Sequence, residues 1–142
     1  MARLPVFDVL ERLLHPRAFK SSLSARDRQF LERCREVVKE YQADPDFTSA
    51  MAASILGISR MHLNRKLRAL TGQSTHKYIQ SSRLEGARAL LLQPWPVAFV
   101  ARSCGFKSSS HFARVFRERY GASPSCFRAE QSRARQPTRR RP

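Results

Sequence analysis

The sequence predicts an all-α fold of about seven helices, and three observations support this class. Apolar residues recur at spacings of three and four along most of the 142-residue chain, which is the period of an amphipathic helix. Glycine, proline and short polar clusters separate these stretches and predict turns between helices. One stretch that includes a predicted turn is repeated further along the chain.

The first predicted helix spans residues 25–41. Ser24 and Asp27 have the spacing of a capping box at its start. One face of this helix is apolar and consists of Phe30, Leu31, Cys34, Val37, Val38 and Tyr41. The preceding residues 1–23 form an N-terminal extension whose order the sequence leaves open, because a helical apolar spacing there is interrupted by a His-Pro pair.

The other predicted helices begin and end at turn-forming or capping residues. They cover approximately residues 48–56, 59–70, 75–92, 97–104, 109–120 and a short stretch from Pro124. These boundaries predict a first helix-turn-helix subdomain over 24–74, a linker helix over 75–92 and a second subdomain over 93–128. Residues 129–142 lack an apolar stripe and are rich in arginine, so we predict a disordered tail there.

The internal repeat is the strongest feature of the sequence. The stretch "AASILGISRMHLNRKLRALTGQSTHKYI" aligns with "ARSCGFKSSSHFARVFRERYGASPSCFR" after one residue is inserted. Gly57 and Gly105 are 48 positions apart, and beyond the insertion the offset is 49. The later pairs are Leu63 with Phe112, Arg65 with Arg114, Leu67 with Phe116, Gly72 with Gly121, Ser74 with Ser123 and Tyr78 with Phe127. Each copy is a short helix, a glycine turn and a second helix, which is a helix-turn-helix pattern.

The second helix of each copy is predicted to have an apolar face and a cationic face. Phe112 and Phe116 lie one turn apart and are predicted to face the core, whereas Arg114 and Arg117 point the other way. A surface with arginine and with Ser, Asn or His side chains can bind phosphates and base edges in a major groove. The repeat therefore predicts two recognition helices.

Composition supports a nucleic-acid partner and disfavours other classes. Lys and Arg total 27 against 11 Asp and Glu, a net charge of +16, which favours an anionic partner. No apolar run approaches the roughly 18–20 residues of a membrane span, and no secretory signal pattern is present, so we expect a cytoplasmic protein.

The sequence predicts no catalytic residue, no metal site and no cofactor. It lacks a carboxylate pair, a nucleophile elbow and a phosphate-binding loop, and its cysteines and histidines have no ligand spacing. Cys34, Cys104 and Cys126 are therefore interpreted as reduced thiols acting as small core residues.

The length of the linker helix predicts how the two copies would meet DNA. Eighteen residues span about 27 Å at 1.5 Å per residue. With the width of each subdomain added, the two recognition helices would lie near the ~34 Å helical repeat of DNA. A monomer could then read two successive major grooves on one side of the duplex.

These stretches resemble the DNA-binding domain of the AraC/XylS family of bacterial transcription regulators. The resemblance covers roughly residues 26–128 and is most specific in "GFKSSSHFARVF", which fits G-F-x-S-x-S-x-F-x-R-x-F. It implies a sequence-specific regulator, an activator in our interpretation, that binds double-stranded DNA as a monomer. RNA polymerase is a candidate second partner.

The resemblance also implies which residues contact DNA. The implied base contacts are Arg60, Met61, Asn64 and Arg65 in the first copy and Ser109, Ser110, His111 and Arg114 in the second. The implied phosphate contacts are Ser59, Lys66, Ser108 and Arg117. The chain departs from the family pattern at Met51, Ile55 and Phe99, which are apolar at positions expected to be exposed. These three either complete the packing or form a patch for a partner.

Two alternatives remain at this stage. A non-specific, architectural nucleic-acid protein would use charge alone. The DNA-binding output half of a split two-component system would explain why "SARDRQFLERCREVVKEYQADPDF" resembles the segment that precedes such domains in two-component regulators.

Overall fold

The computed structural model describes residues 23–136, and in that range it contains seven α-helices and no strand. In chain order the helices are α1 (Ala25–Tyr41), α2 (Ser49–Leu56), α3 (Arg60–Thr71), α4 (Thr75–Leu90), α5 (Val97–Ser103), α6 (Ser109–Tyr120) and α7 (Pro124–Arg135). The prediction of an all-α fold is confirmed. The predictions for residues 1–22 and 137–142 lie outside the described residues.

The linker helix is shorter than predicted. Helix α4 has 16 residues, about 24 Å at 1.5 Å per residue, because the chain tightens before Pro94. The N–H groups of Leu92 and Gln93 donate to carbonyls three residues earlier, those of Ala89 and Leu90, which is the pattern of a turn rather than of an α-helix.

The predicted disorder of residues 129–142 is wrong for 129–135, because α7 continues to Arg135. This helix is anchored at its start by Phe127, which is buried, and by Arg128, whose Nε donates to the carbonyl of Leu91 at 3.0 Å. Once a helix is nucleated, each further good helix-forming residue adds to it at little cost. These tertiary contacts at its start therefore stabilise the helix beyond the last residue of its apolar stripe.

The structure divides into two compact units. Among the described residues, unit 1 consists of residues 23–37 together with Ser49–Tyr78, and unit 2 consists of Val38–Thr48 together with residues 79–136. Unit 1 therefore holds α2 and α3, and unit 2 holds α5, α6 and α7.

Unit 1 has a small, aliphatic interior. Helices α2 and α3 pack together, and the chain turns between them at Gly57, whose φ of 72° is in the left-handed region that favours glycine. The buried apolar residues of this unit are Cys34, Ala52, Ala53, Leu56, Leu63 and Leu67. The start of α1 is capped as predicted, since the Asp27 N–H donates to Ser24 Oγ at 3.1 Å.

Unit 2 has a larger, aromatic interior. Its core cluster consists of Leu84, Ala87, Leu91, Val100, Ala101, Cys104, Phe106, Phe112, Val115, Phe116 and Phe127. Cys34 in unit 1 and Cys104 here are buried thiols, as predicted, but Cys126 is exposed. The interpretation of all three cysteines as core residues is thus wrong for Cys126, which faces outward from the first turn of α7.

Within unit 2, Arg83 holds the segment that follows α1. Its Nε donates to the carbonyl of Gln42 at 2.9 Å and its guanidinium also reaches the carbonyl of Asp44 at 2.8 Å. Burial lowers the pKa of Arg83. Gly105 packs directly on this contact: a Cβ there would lie 2.2 Å from the Gln42 oxygen and 2.8 Å from Arg83 Nε.

Candidate nucleic-acid interface

Helices α3 and α6 correspond residue for residue. Each has 12 residues, and their first residues are 49 positions apart. Ser59 and Ser108 are the N-caps, and their hydroxyl oxygens accept from the backbone N–H groups of His62 and His111, both at 3.1 Å. Because a hydroxyl can donate while it accepts, each cap serine keeps a donor for a phosphate oxygen.

The outer face of α3 is exposed and cationic. Arg60, His62 and Arg65 are exposed, and Met61 is 78% exposed. The helix sequence RMHLNRKLRALT contains no acidic residue. The predicted separation of faces is confirmed, since Leu63 and Leu67 on the other side are each 1% exposed.

Two predicted contact residues of α3 are engaged within unit 1. Asn64 is half-buried, and its Oδ1 accepts from the backbone N–H of Thr75 at 3.1 Å. Lys66 lies over the ring of Phe30, 4.4 Å from its centroid, with Nζ 3.7 Å from a carboxylate oxygen of Asp27. The side chains of both residues therefore lie against neighbouring helices rather than on the outer face.

The outer face of α6 carries a different set of groups. Ser109, Ser110, His111 and Arg114 are all exposed. The guanidinium of Arg114 lies 3.1 Å from Nδ1 of His111, a distance at which the guanidinium donates to a neutral imidazole. This contact uses part of the donor set of Arg114 and leaves its other N–H groups for a ligand. Arg117 is also exposed, one turn further along.

Sequence analysis did not single out one exposed cationic residue of α3. Arg68 is exposed and lies 49 positions before Arg117, so it occupies the same place on α3. The repeat offset contained this signal. The same offset pairs Lys66 with Val115, which is buried, and this pairing indicates an inward-facing position.

The apolar residues that depart from the family pattern are exposed. Met51 is 41%, Ile55 43% and Phe99 48% exposed, and the ring of Phe99 lies tilted against that of Trp95 with centroids 5.1 Å apart. None of the three belongs to the buried core, and the alternative of an exposed apolar patch in each unit fits their positions.

Within residues 23–136 no three His, Cys, Asp or Glu side chains are grouped so that they could hold a metal ion. In the same range, no helix has the length and apolar character that a membrane crossing requires.

Comparison with protein families supports a nucleic-acid interface. Residues 52–130 match the family model described as a helix-turn-helix domain. The transcriptional activator NphR of Rhodococcus sp. is 35% identical over 104 residues, which are 72% of this chain and 31% of that protein. The arabinose operon regulatory protein of Escherichia coli K12 is 33% identical over 132 residues, which are 90% of this chain and 45% of that protein. The chain thus spans less than half the length of these two relatives.

A solved structure extends the similarity to three dimensions. The DNA-binding domain of AdpA, a global transcriptional factor solved in complex with a target DNA, superposes with a TM-score of 0.66 and 30% sequence identity. The match covers 76% of this chain and 96% of that domain. The similarity includes nearly all of that DNA-bound domain.

Proposed function

Because the chain belongs to the AraC/XylS family of helix-turn-helix transcription regulators, we propose that α3 and α6 are its two DNA-reading helices. The supporting observation is their equivalence: the same length, the same serine cap and an exposed arginine at the same position, Arg65 and Arg114. Two equivalent basic helices on a chain of net charge +16 are suited to two sites on one polyanion.

We assign base contacts to the exposed outer faces. On α3 these are Arg60, Met61 and Arg65, and on α6 they are Ser109, Ser110, His111 and Arg114. Arginine is suited to bidentate contact with guanine, and the hydroxyl and imidazole groups can bond other base edges. The two faces differ in chemistry, so the proposed DNA site is asymmetric. In this proposal a monomer binds the site across two successive major grooves.

Phosphate contacts are assigned to the two cap serines, Ser59 and Ser108, and to the paired arginines Arg68 and Arg117. Lys66 is left out, since its ammonium group already lies against Asp27 and Phe30. These contacts would fix the register of each helix on the duplex without reading sequence.

The biological role that fits this site is transcription activation without catalysis, in the cytoplasm of a bacterial cell. RNA polymerase is the proposed second partner, and the exposed apolar residues Met51 in unit 1 and Phe99 in unit 2 are separate candidates for contact with it. The output half of a split two-component system is the second candidate role, favoured by the resemblance of the α1 region to the corresponding segment of such regulators.

Selection of binding sites from random duplexes, followed by titration of Arg65→Ala and Arg114→Ala, tests the proposal. Each variant should lose about 1–3 kcal/mol of binding free energy and relax base preference in one half of the site. Arg33→Ala is the matched control, because Arg33 is exposed on α1, outside the reading helices.

Two outcomes would contradict the proposal. Equal weakening on every sequence would mean that Arg65 and Arg114 contact only phosphate. A specificity ratio near one with steep salt dependence would favour the non-specific, architectural alternative.

A further inference from the structure

The contact between Asn64 and Thr75 closes the corner between α3 and α4. Thr75 is the first residue of α4 and is 3% exposed. The first N–H groups of a helix have no acceptor within it. Here Asn64 Oδ1 accepts from the Thr75 N–H at 3.1 Å, and Ser74 Oγ accepts from the Lys77 N–H at 3.2 Å. The amide oxygen therefore satisfies a buried donor that has no other acceptor within its helix.

Unit 2 has the same corner without this hydrogen bond. At an offset of 49, Asn64 corresponds to Ala113 and Thr75 corresponds to Pro124. Proline has no N–H, so the first residue of α7 has no donor to satisfy. The serine cap is retained, since Ser123 Oγ accepts from the Cys126 N–H at 3.2 Å. Unit 1 thus has both the N–H donor and a side-chain acceptor for it, and unit 2 has neither at the corresponding positions.

Unit 2 holds its corner with aromatic rings instead. Phe116 and Phe127 pack edge to face, with centroids 5.6 Å apart, and Tyr120 lies 6.4 Å from Phe127. The corresponding positions in unit 1 are Leu67, Tyr78 and Thr71, so only one of the three is aromatic. The hydrogen bond of Asn64 therefore connects α3 to α4 at the place where aromatic rings connect α6 to α7 in the other copy.

We propose that Asn64 is a positioning residue, which sets the direction of α3 through the first peptide N–H of α4, and that its amide does not read a base. An asparagine that recognises adenine uses both its oxygen and its NH₂ group, whereas here the bond from the Thr75 N–H turns the oxygen toward α4. This inference depends on the proposed role of α3 as a DNA-reading helix.

The test compares Asn64→Ala with the double variant Asn64→Ala/Thr75→Pro, using duplexes that vary each base pair of the selected site. Asn64→Ala leaves a buried N–H without an acceptor and should weaken binding on the order of tenfold, equally on every duplex. Adding Thr75→Pro removes that donor and reproduces the Ala113–Pro124 pair of unit 2. The hydroxyl lost with Thr75 has no hydrogen-bond partner in the described structure, so affinity should return toward that of the parent protein.

Two further variants keep the test decisive. Asn64→Asp retains an acceptor oxygen and should keep the denaturation midpoint of the parent even if Asn64→Ala fails to fold. Ala113→Asn is the matched control in unit 2, where Pro124 offers no donor, and it should not raise the midpoint.

The inference is overturned if Asn64→Ala relaxes preference at a single base pair and Thr75→Pro does not restore it. Proline at position 75 could not replace a lost base contact. Failure of the proposed function is separate: Arg65→Ala would then leave base preference intact in the same assay, whatever the result at Asn64.

Discussion

The two units repeat the same turn with nearly identical backbone hydrogen bonds. Gly57 N–H donates to the Ser54 carbonyl at 3.1 Å, and Gly105 N–H donates to the Arg102 carbonyl at 3.1 Å. The next residue in each copy donates back to a carbonyl five residues earlier, at 3.1 Å in unit 1 and 3.0 Å in unit 2. Both reading helices end at a glycine with φ near 75°, Gly72 and Gly121.

The interiors differ although the backbones agree. Leu63 and Leu67 in unit 1 correspond to Phe112 and Phe116 in unit 2, and all four are essentially inaccessible to solvent. The backbone turn depends on a few residues that permit unusual φ values or cap helix ends. The space between helices can be filled by any apolar set of suitable volume. The difference shows that turn and cap residues set the motif, whereas its core residues can vary.

The largest expected effect comes from replacing the turn glycine in each unit. Gly57→Ala and Gly105→Ala both force a left-handed backbone on a residue with a Cβ, at about 1–2 kcal/mol. Only Gly105→Ala also places that Cβ 2.2 Å from a carbonyl oxygen, whereas a Cβ at position 57 meets nothing within 4 Å. We expect Gly105→Ala to cost roughly 1–3 kcal/mol more, measured by urea denaturation.

Equal costs for the two glycine variants would contradict the close approach at Gly105. Because the chain has two units, hydrogen exchange measured on peptides from each unit is the better readout. Gly105→Ala should reduce protection in unit 2, including the segment bonded to Arg83.

The next effect comes from exchanging the core residues of the two copies. Phe116 is fully buried and packs on the rings of Phe112, Tyr120 and Phe127 with centroids 4.6 to 5.6 Å apart. Phe116→Leu should cost about 1–3 kcal/mol through lost volume and lost ring contacts. The reverse exchange, Leu67→Phe, should cost a similar amount through overpacking of the smaller interior.

Calorimetry of the two core variants checks this pair. If both exchanges leave stability unchanged, the aromatic interior of unit 2 is not what distinguishes the two copies.

Most of the fold could be predicted from sequence because its determinants are local. Capping serines, turn glycines and apolar spacing give the bounds of α1, α3 and α6 to within a residue or so. The length of α7 could not be predicted, because it depends on Arg128 bonding to the carbonyl of Leu91, a residue 37 positions away. Local pattern carries no information on such an anchor.

The candidate site was predicted less completely, for the same reason. The exposed faces of α3 and α6 follow from helical period, and Arg65 and Arg114 lie on them. Periodicity cannot show which neighbouring helix covers the edge of a face, so it does not indicate that Asn64 and Lys66 each bond within unit 1. A systematic comparison of the two copies would have flagged Lys66, whose counterpart Val115 is buried.

The buried thiols predict a smaller effect, a loss of stability that depends on pH. Burial raises the pKa of Cys34 from its ordinary value of 9.0 to about 11, against the opposing charges of Arg33 and Lys66. The pKa of this thiol is higher in the folded than in the unfolded state. Its contribution to the free energy of unfolding is therefore fully present below pH 9 and is lost, by about 1–2 kcal/mol, as the pH rises toward 11.

Urea midpoints between pH 8 and pH 11 measure this loss. Cys34→Ala should make the decline in stability shallower, and Cys104→Ala should do the same in unit 2, where burial also raises the pKa of the thiol. The constant cost of the smaller side chain cancels when slopes are compared. A slope unchanged by Cys34→Ala would mean that this thiol does not govern the alkaline limit of unit 1.

The smallest effect on stability, and the sharpest on specificity, comes from exchanging Met61 and Ser110, which occupy the same place on the two reading helices. Met61 is 78% exposed and Ser110 is also exposed, so Met61→Ser and Ser110→Met should each change stability by less than about 0.5 kcal/mol. Methionine at this place can contact the methyl group of thymine, whereas serine can bond base edges. We therefore expect Ser110→Met to gain up to about 1 kcal/mol for a thymine in the α6 half of the site, and Met61→Ser to lose a similar preference in the α3 half.

Duplexes with uracil in place of that thymine lack the methyl group and should abolish both changes. Ser132→Met, exposed on α7, is the control, and if it shifts base preference as much as Ser110→Met does, the two helices are not the elements that distinguish one half-site from the other.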